Sequence, residues 1–379
     1  MQNKLIYAAS ESCPDLWYLT GFAAPDPFLY FQTGDRRVAA VSCLELGRAQ
    51  KECHPQVTVA DVQHLPEFFG VEDASEPGEH WFVKLVRTVC RGTGIWEWEV
   101  PASFPLSLGD LLRANGVKLT PADSLAPERQ VKSAWEIEAV RAAERLAEAG
   151  LAQADGMLRQ STVDAEGYLL LGGHILTAEE LRGEVDAAIA RKGGLAQGTI
   201  TAPGVQGADP HQTGTGPLKA NEPIVMDIFP RDQKTGYFGD LTRTRVKGKA
   251  SDIVKKAYLT VLEAQEHALK ALHPGVTGKE VHDGAARYFE EQGFPRERDE
   301  ATGLYRGFFH GLGHSVGLEI HEGPHLSPGN PSPLTAGNVV TVEPGLYDPT
   351  WGGIRIEDTV AITPDGIDNL AVAPKYLEI

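Results

Sequence analysis

The pattern of apolar and polar positions divides the chain into two stretches of different character. Over the first ~120 residues, short apolar runs alternate with turn residues, as in PFLYFQTGDRRVAAVSC, and predict a mixed α/β domain. TPADSLAPER (120–129) holds two prolines and no periodicity, and reads as a linker between domains. Beyond it the period lengthens to that of helices. Ser133 and Glu136 form a capping box ahead of the long amphipathic stretch SAWEIEAVRAAERLAEAGLAQADGML. Thr177 and Glu180 repeat the device before a helix expected to stop at Gly193-Gly194. Thr277 and Glu280 repeat it again, after a helix over about 252–273.

Each pair of helices is followed by a strand that ends on an acid. LKANEPIVMD (218–227) aligns without gaps on LTAGNVVTVE (334–343), a shift of 116 residues. Asp240 then lies 13 residues after Asp227, and Glu357 lies 14 after Glu343. Helix, helix, strand and paired acids therefore recur, which predicts a diverged internal duplication offering two carboxylates per half.

Those acids interrupt apolar runs, Asp227 in PIVMDIF and Glu357 in IRIEDTVAI. Any one of them alone reads equally well as a strand-edge acid facing water. Four that converge in a buried place need compensating cations, because an unpaired buried carboxylate costs several kcal/mol or stays protonated. Carboxylates with few imidazoles and no thiolates suit Mn²⁺, Co²⁺ or Zn²⁺, and two such ions balance four negative charges. A metal pair of that kind activates hydroxide and polarises a carbonyl.

HGLGHSVGLEIH (310–321) adds three histidines among three glycines. Gly311, Gly313 and Gly317 disfavour a helix, so a glycine-rich loop leading into a strand SVGLEIHE is expected. The residues themselves leave open which histidine is a ligand and which is polar filler.

Composition narrows the partners. With 35 basic against 52 acidic residues the net charge is −17, which disfavours nucleic acid and anionic membranes. No run approaches the roughly 18 apolar residues of a membrane helix. MQNKLIYAASESCPD lacks the apolar core of a secretory signal, and Cys13, Cys43, Cys53 and Cys90 form no CxxC pair. A reducing cytoplasm is the expected location.

Six motifs then carry a resemblance. PHQTGTG around His211, VMDIF at Asp227, YFGDLTRT at Asp240, HGLGHSVGLEIHE, TVEPGLY at Glu343 and GGIRIEDT at Glu357 resemble the pita-bread metallopeptidases. The resemblance is specifically to the Xaa-Pro peptidases, prolidase and aminopeptidase P. DLWYLTGF (15–22) and ERQVKSAWEIEAVRAA resemble that family's N-terminal segment and inter-domain junction, so the likeness covers nearly the whole chain. One departure is PRDQKTG, about two residues longer than is usual, which should lengthen a hairpin tip without moving either acid.

The resemblance implies an α/β (α+β) protein, with a creatinase-like mixed α/β domain over 1–128 and a pseudo-twofold pita-bread domain over 129–379. It implies two divalent ions per subunit, Mn first and Co or Zn as substitutes. Asp227 would bind one ion, His314 and Glu343 the other, with Asp240 and Glu357 bridging. His310 and His321 would line the substrate site as catalytic groups, His211 would close it from the opposite half, and each imidazole could donate to the scissile carbonyl or the oxyanion formed from it. Arg355, two residues before Glu357, would hold a neighbouring carboxylate. The implied reaction is hydrolysis of the bond before proline by metal-activated hydroxide, with Glu343 carrying the proton to the leaving nitrogen. The expected partners are small peptides with proline second, and a second copy of the chain in a homodimer.

Prolidase is the first reading and aminopeptidase P the alternative. In strict prolidases of this kind an Arg often follows soon after the HE pair; here EGPHLS puts His325 there as the candidate for binding the substrate's terminal carboxylate while protonated, so tolerance of longer peptides is expected. Methionine aminopeptidase shares the ligands but not the N-terminal domain, and creatinase shares the domains but not the ligands. A metal-free binding module of the same fold is the rival from another class.

Overall fold

The computed structural model describes residues 3–73, 78–300 and 302–379, which form two compact units, Met1–Arg129 and Gln130–Ile379. The first unit is a six-stranded sheet in the order Val57–Asp61, Arg36–Val41, Phe28–Thr33, Lys4–Ala8, Glu97–Pro101, Lys118–Ala122. Its three central strands pair antiparallel and its outer pairs are parallel. Side chains on a strand alternate between faces. Leu29 and Phe31 accordingly join Trp98 and the helix Trp81–Thr93 in one core, while Phe28 and Tyr30 pack with Leu16, Leu19 and Phe22 in the other.

The stretch 120–129 is not a free linker. Lys118–Ala122 is an edge strand, where Pro121 is tolerated, and Leu125 and Ala126 are buried. Buried Asp15 holds the rest, accepting the Leu125 N–H at 2.6 Å and the Arg129 guanidinium at 2.7 Å. The stretch is thus anchored by one carboxylate although Thr120, Pro121, Asp123, Pro127 and Glu128 are exposed.

In the second unit both full capping boxes form, at Ser133/Glu136 before Ala134–Gln160 and at Thr277/Glu280 before Gly278–Glu291. Thr177 accepts the Glu180 N–H before Ala178–Ala190. That helix stops at Ala190, earlier than expected; Gly193, at φ 85°, turns the chain, and Gly194–Leu195 is a short strand paired with Arg231–Asp232. The remaining helix spans Asp252–Ala271.

Strand parity decides where the acids go. Pro223–Ile228 pairs antiparallel with Leu241–Val246, and Val339–Val342 pairs antiparallel with Asp358–Thr363. Ile224, Met226, Ile228 and Leu241 pack against the first helix pair; Val340, Val342, Val360 and Ile362 pack against the second. Alternation then turns Asp227, Asp240 and Thr242 of one half, and Thr341, Glu343, Glu357 and Thr359 of the other, to the face away from the helices. The longer PRDQKTG segment folds into its own turn, with the Asp232 N–H on the Tyr237 carbonyl, and Asp227 stays opposite Thr242.

SVGLEIHE is not one strand. Gly313–Ser315 and Glu322–Leu326 form an antiparallel pair joined by a bend, which carries His321 at its end. Lys132, buried, ties the pair by bonds to Ser315 Oγ (2.8 Å) and Glu322 (2.6 Å). Arg355 likewise ends its strand, Gly352–Arg355, and Glu357 lies in the link to the next. Among the described residues no helix is long and apolar enough to cross a membrane.

Candidate active site

The inner faces of the two halves bound a cavity of about 870 Å³. All five sequence-predicted ligands line it, as do His211, His310, His321, His325 and Arg355. Asp240, His314 and Glu357 each offer a donor atom within 4.8 Å of the other two. His314 Nε2 lies 3.6 Å from Asp240 Oδ2 and 3.3 Å from Glu343 Oε1. Two glycines make these approaches possible. A Cβ on Gly313 would collide with the Thr341 carbonyl, and the tight fit lets the His314 N–H reach Thr341 Oγ1 at 3.0 Å. A Cβ on Gly239 would strike the helix backbone at Ala143, and there the Asp240 N–H donates to buried Glu144 at 2.7 Å.

Electrostatically the site is unfinished. Asp240 and Glu357 are 4% and 2% exposed. Burial, and then the neighbouring carboxylates, push both carboxyls well above their usual range. Burial raises Glu343 to about 8, against the opposing pull of Arg355. Asp227 Oδ1 is buried with no hydrogen-bond partner among the described residues. Arg355 is the single Arg or Lys among the described residues that line the cavity. Several carboxylates, one imidazole nitrogen and an orphaned oxygen make a donor set that fits divalent cations. Burial lowers His310 and His314 to about 3, helped by Arg355 at the first and His321 at the second, so both rings are neutral at physiological pH.

A supporting layer fixes these groups. Arg355 donates to Asp227 Oδ2 at 2.6 Å, as its position suggested, and also to the Tyr347 hydroxyl at 3.0 Å. Thr242 Oγ1 donates to Glu357 Oε2 at 2.7 Å. His310 has both ring nitrogens engaged, Nδ1 with the Gly311 carbonyl at 2.7 Å and Nε2 with the Tyr347 hydroxyl at 2.9 Å. With Nδ1 donating to the carbonyl, Nε2 accepts from Tyr347. As arranged here, His310 lines the cavity with no ring donor left for a substrate. His211, His321 and His325 are exposed at the cavity wall, and the His321 ring stands edge-on to His314 at 4.4 Å.

Tyr347 and Thr242 were missed as site residues. Both were readable: Tyr347 lies four residues after Glu343 in TVEPGLY, and Thr242 shares the strand parity of Asp240. Apolar wall is supplied by Phe229 and Ile320, which sit inside the VMDIF and HGLGHSVGLEIHE motifs, and by Ile200 and Phe309, which lie outside any motif.

Comparison with known proteins agrees with this geometry. Over 180 residues the chain is 39% identical to the Xaa-Pro dipeptidase of Pyrococcus furiosus, which is 47% of this chain and 48% of that protein. The chain thus spans about half the length of the curated relatives it matches. The prolidase structure from Pyrococcus horikoshii superposes with a TM-score of 0.79 at 27% identity, covering 99% of this chain and 95% of that one. The X-Pro aminopeptidase structure from Thermotoga maritima gives 0.79 at 25% identity, covering 99% and 97%. The sequence profile of metallopeptidase family M24 matches residues 138–364, more than half of the sequence, and the chain belongs to that family.

Proposed function

We propose that the protein is a metal-dependent Xaa-Pro dipeptidase that tolerates longer peptides. The observation that carries this reading is the convergence of Asp240, His314 and Glu357 within 4.8 Å, beside Glu343 and Asp227, in a cavity with apolar walls. Asp227, Asp240, His314, Glu343 and Glu357 would hold two divalent ions, Mn²⁺ first and Co²⁺ or Zn²⁺ as substitutes. When bound, such ions supply Lewis acidity towards the scissile carbonyl and lower the pKa of water.

The side chains do the rest. Arg355 fixes Asp227, which receives the substrate's free amine. Glu343 would take up the proton released as water attacks the carbonyl and pass it to the leaving nitrogen. His321 and His211 donate towards the oxyanion as it forms. Arg355, through Tyr347, orients His310 as a neutral ring. A bond to proline carries no N–H to recognise, so the preference comes from shape, with Ile200, Phe229 and Ile320 as the apolar wall. The 1–128 and 129–379 division, a homodimer and a cytoplasmic location complete the reading.

Proline release from Xaa-Pro peptides, with Mn²⁺, Co²⁺ or Zn²⁺ supplied in turn, tests it. Protein that binds none of the three ions and cleaves nothing would restore the binding-module reading. His310→Ala should keep its metal while kcat falls, because Tyr347 loses the ring that orients it beside Arg355 in the cavity wall. Loss of metal from that variant would make His310 a ligand.

A further inference from the structure

A second cavity, of about 370 Å³, adjoins the first, and Phe309, His310 and Gly311 line both. Ser327 lines the first and Pro328 the second, so the two meet along another edge. Its size is in the range of ligand pockets. Phe289, Phe294 and Phe308 form an apolar wall, stiffened by ring contacts of Phe308 with Phe289 and His282, both at 5.3 Å. Arg296 and Glu290 also line it.

The chain holds Arg296 beside the catalytic wall. Glu297–Arg298 pairs with Tyr305–Arg306, and the next residue, Gly307, exchanges backbone hydrogen bonds with Tyr347 at 2.9 and 3.3 Å. The Arg296 side chain lies over the Tyr305 ring at 5.2 Å and makes no hydrogen bond or ion pair among the described residues. In the main cavity, by contrast, Arg355 is already held by Asp227 and Tyr347. A substrate's terminal carboxylate therefore finds no uncommitted permanent cation in the main cavity, and the adjoining one supplies it.

We infer that the adjoining cavity is a subsite for the residue after proline. Arg296 receives the terminal carboxylate of an Xaa-Pro-Yaa tripeptide, and the phenylalanine wall receives an apolar Yaa side chain. This rests on the Xaa-Pro peptidase reading above. The test compares steady-state constants of the Mn²⁺-loaded parent and variants on Ala-Pro, Ala-Pro-Leu and Ala-Pro-Leu-amide. Arg296→Gln should raise KM for Ala-Pro-Leu about tenfold or more with kcat little changed, the scale of a lost charge-assisted bond. The dipeptide and the amide should hardly respond. Glu290→Gln should lower KM for Ala-Pro-Leu by removing a like charge, and Ala286→Phe, which fills the cavity, should depress kcat/KM for both tripeptides but not for Ala-Pro. Equal changes on all three peptides, or none on any, would overturn the subsite. A parent that cleaves Ala-Pro while Arg296→Gln leaves tripeptide cleavage untouched overturns the subsite alone. A metal-loaded parent that cleaves none of the peptides overturns the peptidase reading and the subsite with it.

Discussion

Glu357→Gln should lose bound metal and lower kcat/KM by about 10³-fold or more. The substitution keeps shape and the hydrogen bond from Thr242, so packing is preserved. What disappears is one negative charge at a position that also borders Asp240, His314 and Glu343. Metal-ion stabilisation of developing charge is worth several kcal/mol, and each 1.4 kcal/mol is tenfold in rate. Metal content after dialysis and kcat/KM on an Xaa-Pro peptide read the effect. An accompanying change separates lost charge from misfolding: metal-free Glu357→Gln should melt higher than the metal-free parent at pH 8, because one repulsive carboxylate is gone. Unchanged metal content and turnover would remove Glu357 from the ligand set.

Chelation should destabilise the protein increasingly as pH rises from about 6.5 to 8. Asp240, Glu343 and Glu357 have raised pKa values in the metal-free fold, Glu343 to about 8. Unfolded carboxyls titrate near 4. Between those limits the folded, metal-free state binds more protons than the unfolded chain, so its stability falls as pH rises. The contribution is fully present below the unfolded values and is lost through the folded ones. His310 and His314, lowered to about 3, act oppositely, removing stability as pH drops below about 6.5. The window from 6.5 to 8 therefore isolates the carboxylates. Each group titrating there costs about 1.4 kcal/mol per pH unit, or about 3–5 °C in Tm for a unit of this size. Buried Glu144, also raised to about 8, faces the Asp240 backbone rather than the cavity and belongs to both states. Tm measured with chelator and with Mn²⁺ should diverge with rising pH. Parallel curves would mean that the carboxylates do not share a metal.

These expectations depend on two kinds of information. Parity along the strands is local, and the sequence by itself determined it: Asp227 after Ile224 and Met226, and Glu343 after Val340 and Val342, lie on the side away from the apolar core. Capping residues and the 116-residue repeat are local signals too, and they located the helices and the duplicated acids. Failures arose where a distant partner decides local shape. Asp15 anchors 124–129 from more than 100 residues away, and Lys132 folds SVGLEIHE into two strands from more than 180. The orientation of His310 is of the same kind, since it depends on Tyr347 and through it on Arg355. So does the adjoining cavity, built when a helix end, a two-residue ladder and the Gly307–Tyr347 bonds meet. Periodicity reports which face of an element is apolar, whereas hydrogen-bond partners far apart in the chain are chosen only when the elements pack.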